Sequence, residues 1–258
     1  MLLKKFTLFA LLCCYITIYS QNTIVRYINY KKIDNQKYVS FLVYNNKQSF
    51  DIESYINLYE KFQDLINDEN FINDKKFIRN IKKDSIYSNT FYGVTSIPSK
   101  GYVIYKDIVG KIDWELKEKS DKILGFKCNL ATTKFRGRNY TVWYTTEIPV
   151  PIGPWKLGGL PGLILKVDVD NGTYTFEATS IVLNSNLKVP EKYFSVYDKN
   201  VKYIVPYEKF INYDNKYWEG VRSEQIANLP KGVVLTEFPP IRDTFIERSF
   251  DWDKSNNK

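Results

Sequence analysis

The sequence predicts a mainly β protein with a few helices, built as a single curved antiparallel sheet or half-barrel. Strand-favouring aromatic residues are abundant, since the 258 residues include 21 Tyr and 16 Phe. Several segments alternate apolar and polar residues, and turn residues such as glycine, asparagine and proline separate them. Hydrophobic residues make up 44% of the chain, which is enough for a sizeable core. These three observations favour one β-rich domain.

The first twenty residues are typical of a secretory signal peptide. Two lysines at positions 4 and 5 precede an apolar run from 6 to 18 that is short for a membrane span, and Ser20 is a small residue suited to cleavage. The cysteine at position 13 follows Leu12, whereas a lipoprotein signal requires a small residue there. We therefore expect residues 1–20 to be removed. Residues 21–258 would then form a single exported domain, periplasmic or secreted, without a lipid anchor or a membrane span.

Charge and composition exclude several classes of function. Without the two lysines of the signal peptide, 37 − 2 = 35 basic residues stand against 29 acidic ones, a net charge of +6. Both signs are interspersed along the chain, so we do not expect nucleic acid as a partner. The chain has no histidine, which removes Ser-His-Asp and Cys-His catalysis and the commonest metal ligand. Cys128 is the one cysteine left after cleavage, so we expect a buried thiol, no disulfide, no metal and no cofactor.

The first half of the mature chain predicts strands on either side of a helix. Residues 24–30 and 38–44 are rich in Ile, Val, Tyr and Phe and read as an antiparallel pair across a polar break. From Asp51 to Ile66 apolar residues recur at helical spacing, which predicts a helix of about three turns. Strands are expected again at 86–94 and 102–109. Residues 110–116 alternate strictly and predict a further strand, followed by a turn at positions 121 and 122.

The second half predicts two hairpins and a weaker C-terminal region. The first hairpin runs from 131–135 through a turn at Gly137 to 140–145. The second begins at Leu163 and turns at Asn171-Gly172, a strong two-residue hairpin signal. Weaker patterns predict a strand at 201–207, a helix at 207–221 and a last strand at 246–252.

A stretch rich in glycine and proline, residues 153–166, separates the two hairpins. It lacks the Gly-Lys-Ser/Thr ending of a phosphate loop, and it opens a strand where a phosphate loop opens a helix. Its prolines also remove N–H donors. We expect a rigid turn that fixes the register of the next strand, so that Gly162→Val abolishes soluble folding. The structural residues of this motif are Gly153, Pro154, Gly159, Pro161 and Gly162.

Two arginines beside aromatic residues form the candidate ligand site. Arg136 and Arg138 flank a glycine turn, and Trp143 and Trp155 are close by in sequence. Arginine forks beside aromatic faces suit a carboxylate or phosphate on an otherwise apolar ligand. The alternative is that the arginines are solvated or pair with local acids such as Glu147, while the aromatic residues belong to the core. We name the two arginines and the two tryptophans as candidate ligand contacts.

Several segments at characteristic spacing resemble the GLPGLI family, a group of exported proteins of Bacteroidota named after a hexapeptide. The resemblance is carried by residues 125–128, 135–138, 143–149, 153–157 and 159–164, and more loosely by 247–252. It is firmest over residues 110–183. The family has no established biochemical function, so the resemblance implies no catalytic residue. The order of strands is similar to that of half-barrels of the lipoprotein-carrier type, which implies a curved sheet with helices over its concave face.

The sequence thus predicts an exported non-enzymatic protein of the cell envelope that binds an apolar or anionic ligand, such as a lipid, an acyl group or a peptide. One alternative is an interaction or assembly module for envelope proteins. The other is a carboxylate-dependent hydrolase, for which acids on predicted strands are the available groups: Glu115, Glu147, Asp168 and Glu177. Alternation puts Asp168 on the polar face of its hairpin, so we name no catalytic residue.

Overall fold

A computed structural model describes residues 22–45, 48–54, 59–68, 76–80, 85–91, 102–190, 204–230, 233 and 240–254. The predicted signal peptide lies outside the described residues. The strands are β1 Asn22–Lys31, β2 Gln36–Tyr44, β3 Gln48–Ser54, β4 Lys76–Asn80, β5 Ser85–Phe91, β6 Tyr102–Ile108, β7 Glu115–Ile123, β8 Phe126–Phe135, β9 Arg138–Thr145, β10 Leu163–Val169, β11 Tyr174–Ser185 and β12 Ile204–Pro206. The helices are α1 Phe62–Asn67 and α2 Tyr207–Ala227, with 3-10 turns at Ile241–Thr244 and Asp251–Lys254.

Within these ranges the strands form one sheet, in the order β12-β6-β5-β4-β3-β2-β1-β11-β10-β9-β8-β7. Neighbouring strands are antiparallel, except that β12 runs parallel to β6. The pairing of β1 with β11 joins an N-terminal half, strands β2–β6 with β12, to a C-terminal half, strands β7–β11. The prediction of a mainly β protein with one antiparallel sheet and few helices is confirmed.

The sheet curves so strongly that its two halves face each other. Asp107 on β6 and Arg136 in the β8–β9 turn are eight to nine strand positions apart. A flat sheet would separate them by about 40 Å. Instead an Arg136 nitrogen lies 2.7 Å from an Asp107 oxygen.

Because of this curvature, the central strands are buried on both faces. Val25 and Leu42 point into the main core, which the C-terminal half completes. Ile24 and Phe41, one residue along each strand, point to the opposite face and pack against Phe62 of α1. The short helix α1 therefore covers a face that would otherwise expose a continuous apolar surface.

Both predicted hairpins of the second half are confirmed. Arg136 and Gly137 form the β8–β9 turn, and residues 170–173 form the β10–β11 turn. Asp170, Asn171 and Gly172 in that turn have positive φ angles, the conformation that asparagine and glycine adopt most readily. The pair at 24–30 and 38–44 is also confirmed, as are the strand at 102–109 and the start of the helix at 207.

Four local predictions are wrong. The predicted helix from 51 is strand β3 up to Ser54, because this segment pairs with β2 and its side chains are buried on both faces. Helix α1 occupies only Phe62–Asn67. The turn expected at 121 and 122 lies at Leu124-Gly125, where positive φ angles reverse the chain, and β7 begins only at Glu115. In place of a final strand, the C-terminus has a 3-10 turn at Asp251–Lys254.

The glycine- and proline-rich stretch forms a tight loop between β9 and β10. Ile152 and Gly158 form an isolated antiparallel bridge. Trp155 has a φ of 56°, and its N–H donates to a carboxylate oxygen of Asp51 on β3 at 2.6 Å. The loop is thus held by a strand of the opposite half of the sheet, immediately before the start of β10.

Gly162 has no room for a side chain. A Cβ at this position would lie 2.0 Å from the carbonyl oxygen of Thr145 on β9, well inside van der Waals contact. The obstacle is backbone, so it cannot swing aside as a flexible side chain would. A substitution must therefore displace the end of β9 or the start of β10.

We expect Gly162→Ala to prevent soluble folding or to lower the free energy of unfolding by at least about 3 kcal/mol, because of this clash. Gly110→Ala is the matched control, since a Cβ there would have no heavy atom within 4 Å. The control should change stability by about 0.5 kcal/mol or less. Urea unfolding followed by tryptophan fluorescence measures both, and equal midpoints for the two variants would contradict the packing described here.

Candidate functional site

A cleft of about 360 Å³ lies between the first half of α2 and the segment from 242 to 247. Its walls are mainly aromatic, and its floor and mouth carry charged side chains. The aromatic lining comes from β6, the glycine- and proline-rich loop, α2 and the C-terminal segment: Tyr105, Trp155, Tyr207, Phe210, Tyr217, Trp218 and Phe245. Ligand sites in proteins commonly combine such an apolar lining with a few placed polar groups.

The floor of the cleft is formed by Lys156, Tyr207 and Glu247. These three residues belong to a buried ionic cluster of two cations, two carboxylates and a phenol, whose other members lie behind the floor. Arg136 binds Asp107 through both terminal nitrogens, at 2.7 and 2.8 Å. The Lys156 ammonium lies 2.8 Å from Asp107 and 3.0 Å from Glu247. Arg136 and the hydroxyl of Tyr207 both donate to Glu247. The charges of the cluster sum to zero, which limits the cost of burying them.

The protonation states within the cluster follow from this arrangement. Burial alone would raise the pKa of Glu247, but the charges of Lys156 and Arg136 outweigh burial and hold that pKa below its usual value. Burial is likewise outweighed at Asp107, whose pKa the same two cations lower. Burial, followed by the charge of Glu247, raises the pKa of Tyr207 well above its usual value. Both carboxylates therefore stay ionised, and the phenol keeps the proton that it donates.

Five separate elements bring the cluster together. Asp107 comes from β6, Arg136 from the β8–β9 turn, Lys156 from the glycine- and proline-rich loop, Tyr207 from the start of α2, and Glu247 from the C-terminal segment. Trp155, the residue before Lys156, has a left-handed backbone conformation, and the Lys156 side chain is buried. Its ammonium lies 3.8 Å from the centre of the tyrosine ring, a distance at which a desolvated cation is attracted to the ring face.

Arg138 holds the C-terminal segment that forms one wall of the cleft. Its side chain is fully buried and lies 2.9 Å from a carboxylate oxygen of Asp170. It also donates to the backbone carbonyls of Asp243, at 2.8 Å, and Phe245. The arginine thus holds the segment that carries Phe245, one of the rings lining the cleft.

At the mouth of the cleft, charged and aromatic groups alternate. Arg242 pairs with Asp214 on α2 and donates to the amide oxygen of Asn215 at 2.5 Å. Its guanidinium lies 4.6 Å from the centre of the Phe245 ring. Trp218 packs edge-on against that ring and remains 39% exposed. An aromatic surface is therefore available to solvent beside a neutral ion pair.

The candidate ligand residues predicted from the sequence occupy different places. Arg136 belongs to the ionic cluster behind the floor and does not line the cleft, and Arg138 lies beneath the wall. The acids that they bind are far from them in sequence. The local acid Glu147 instead accepts the backbone N–H of Lys127 at 2.7 Å. Trp155 is buried and lines the cleft. Trp143 lies on β9 away from it, half-buried.

Sequence reasoning missed the residues that complete the ionic cluster: Asp107, Lys156, Tyr207 and Glu247. No spacing rule relates them, because they meet only when the sheet curves. Two weak signals existed. Lys156 is a lone charge in an otherwise apolar and glycine-rich stretch, and Glu247 opens the C-terminal segment included in the family resemblance.

Neither a metal-binding cluster nor a membrane-spanning helix occurs among the described residues. Among these residues, no group of three or more His, Cys, Asp or Glu side chains is placed to hold a metal ion. No helix in the described part of the chain has the length and apolar character needed to cross a membrane.

We expect Arg136→Ala to lower the free energy of unfolding by about 3–5 kcal/mol, because it leaves two buried carboxylates with only Lys156 to balance them. Lys166→Ala is the matched control. It removes an exposed cation 3.4 Å from Glu177, a pair worth at most about 1 kcal/mol. Urea unfolding of the two variants tests this difference, and a similar small loss in both would show that the cluster does not stabilise the fold.

Comparisons with known proteins assign the chain to a family. A crystal structure of PNGF-II in space group C2 shares its fold, at 22% identity and a TM-score of 0.50. A second PNGF-II structure, in space group P21, aligns at 21% identity with a TM-score of 0.48. Each match covers 72% of this chain but only 31% of the PNGF-II chain. A search of curated proteins finds no significant match. The sequence profile of the N-glycanase peptide, N-terminal domain, matches residues 25–207, well over half of the chain, and the chain belongs to that family.

Proposed function

We propose that this chain is an exported, non-catalytic binding domain that serves glycoprotein processing, and that the cleft beside α2 is its ligand site. Membership of an N-glycanase N-terminal domain family supports the connection to glycoproteins. The matched region is a minor part of the PNGF-II chain, so the activity of that whole protein is not carried over to this chain. The resemblance to the GLPGLI family and the signal-like N-terminus stay predictions, and both support export.

The observation that carries the proposal is the construction of the cleft. Its floor is rigid, because the ionic cluster is buried and its charges are paired. Its mouth exposes Trp218 beside the neutral pair of Arg242 and Asp214. A preformed site with aromatic walls and a few oriented polar groups loses little conformational freedom when a ligand binds.

Asp107 and Glu247 do not suit the general-acid role in a carboxylate-dependent hydrolase. A general acid must hold a proton near neutral pH. Asp107 and Glu247 have lowered pKa values, because each is paired with cations that stabilise its ionised form. The acids considered from the sequence are not part of the cleft: Glu115, Glu147, Asp168 and Glu177.

The lining also discriminates among the ligands expected from the sequence. A lipid or acyl chain would place its apolar tail against the charged floor and the polar mouth, which is unfavourable. The two arginines that suggested an anionic ligand already bind carboxylates of the protein itself. A neutral ligand with an apolar face and several polar groups suits the cleft better.

Native mass spectrometry of the chain, isolated from the medium or periplasm of cells that export it, tests the proposal. We expect a discrete bound mass on the wild-type protein that is lost from Trp218→Ala, because this variant removes the exposed ring at the mouth. Tyr213→Ala is the matched control, since this tyrosine is an exposed aromatic residue on α2 outside the cleft lining. It should keep the bound mass. A bare wild-type protein, or a bound mass that both variants retain, would overturn the proposal.

A further inference from the structure

We infer that the ligand is a neutral oligosaccharide, bound along α2 by an aromatic subsite and a polar subsite on either side of Arg242. This inference rests on the proposed binding function and names the chemical class of its ligand. It follows from a second concavity next to the cleft, which gives the site a polar extension.

The aromatic subsite is a fixed tryptophan ring. Trp218 contacts Tyr217 at a centroid distance of 5.3 Å and Phe245 at 5.9 Å, with interplanar angles of 80° and 67°. These two edge contacts hold the indole in place while 39% of the residue stays exposed. The face of an aromatic ring is electron-rich and attracts polarised C–H bonds. A pyranose ring presents several such bonds on one face, so it can stack on this tryptophan.

The polar subsite is a shallower concavity of about 420 Å³. Asn215, Glu219 and Arg222 line it from α2, at the spacing that puts side chains on one helix face. An amide, a carboxylate and a guanidinium offer both donors and acceptors within a short distance. Sugar hydroxyl groups donate and accept hydrogen bonds, and they match this mixture better than the groups of a lipid or an acyl chain.

Arg242 connects the two subsites, since it lines both concavities. Its pairing with Asp214 and Asn215 orients the guanidinium and cancels its charge locally. The groove therefore carries no uncompensated charge at its centre, which favours a neutral ligand over an anionic one.

Titration of the full chain by calorimetry, with three probes, tests the inference. The probes are a free oligosaccharide of mannose and N-acetylglucosamine, an unglycosylated peptide of similar mass, and a short-chain fatty acid. We expect saturable binding of the oligosaccharide alone. Trp218→Ala should weaken it at least about tenfold, in line with the loss of one aromatic stacking contact, and Tyr213→Ala should leave it unchanged.

A second variant separates the two subsites. Glu219→Ala removes an exposed carboxylate of the polar subsite that has little structural role on the helix surface. We expect this variant to lower the affinity for the oligosaccharide several-fold and to leave the affinity for a monosaccharide probe unchanged. Equal effects on both probes, or on neither, would overturn the arrangement of two subsites.

The outcomes distinguish this inference from the proposed function. Binding of the peptide or the fatty acid at the cleft, without binding of the oligosaccharide, would overturn the saccharide inference and leave the binding function standing. Oligosaccharide binding that Trp218→Ala does not weaken would also overturn the inference. Failure of all three probes, together with a bare protein in the native mass spectrum, would overturn both.

Discussion

The two halves of this protein meet through ion pairing across the interior of a curved sheet. Asp107 lies on β6 and Arg136 in the β8–β9 turn, eight to nine strand positions apart in the sheet, yet they bind each other directly. Lys156 and Glu247 complete the cluster and balance its charge. Hydrophobic burial favours curvature without fixing where the two halves meet. Buried charges have few satisfactory arrangements, so the cluster specifies the closure more narrowly than apolar packing alone can.

The same interactions position the candidate site. Tyr207 ties the start of α2 to Glu247, and Arg138 ties the C-terminal segment to the β9 strand by donating to backbone carbonyls. The cleft therefore lies between two elements that are each anchored to the curved sheet. The charged groups of its floor are paired with one another, so the aromatic rings and polar groups at the mouth are the ones available to a ligand. The same ion pairs and hydrogen bonds therefore join the two halves of the sheet and position the site.

Local features of the fold were predictable from the sequence, whereas the site was not. Asn171-Gly172 identifies its hairpin because the turn needs φ angles that these two residues tolerate. The prediction of a helix from Asp51 is wrong because the segment begins as a strand that is buried on both faces. The periodicity of apolar residues does not distinguish such a strand from a buried helix. Arg136 was recognised as a candidate, but its partners lie 29 and 111 residues away. Such residues come together only because the sheet curves, and no spacing pattern in the sequence predicts that curvature.

Hydrogen exchange of Glu247→Gln, compared with the wild type, tests the central role of the cluster most directly. The neutral amide leaves Arg136 and Lys156 with one carboxylate between them, so the elements joined there should loosen together. We predict faster amide exchange in residues 102–108, 153–162 and the first turns of α2, with little change in the β1–β2 hairpin. Faster exchange confined to the immediate neighbourhood of position 247 would contradict the account.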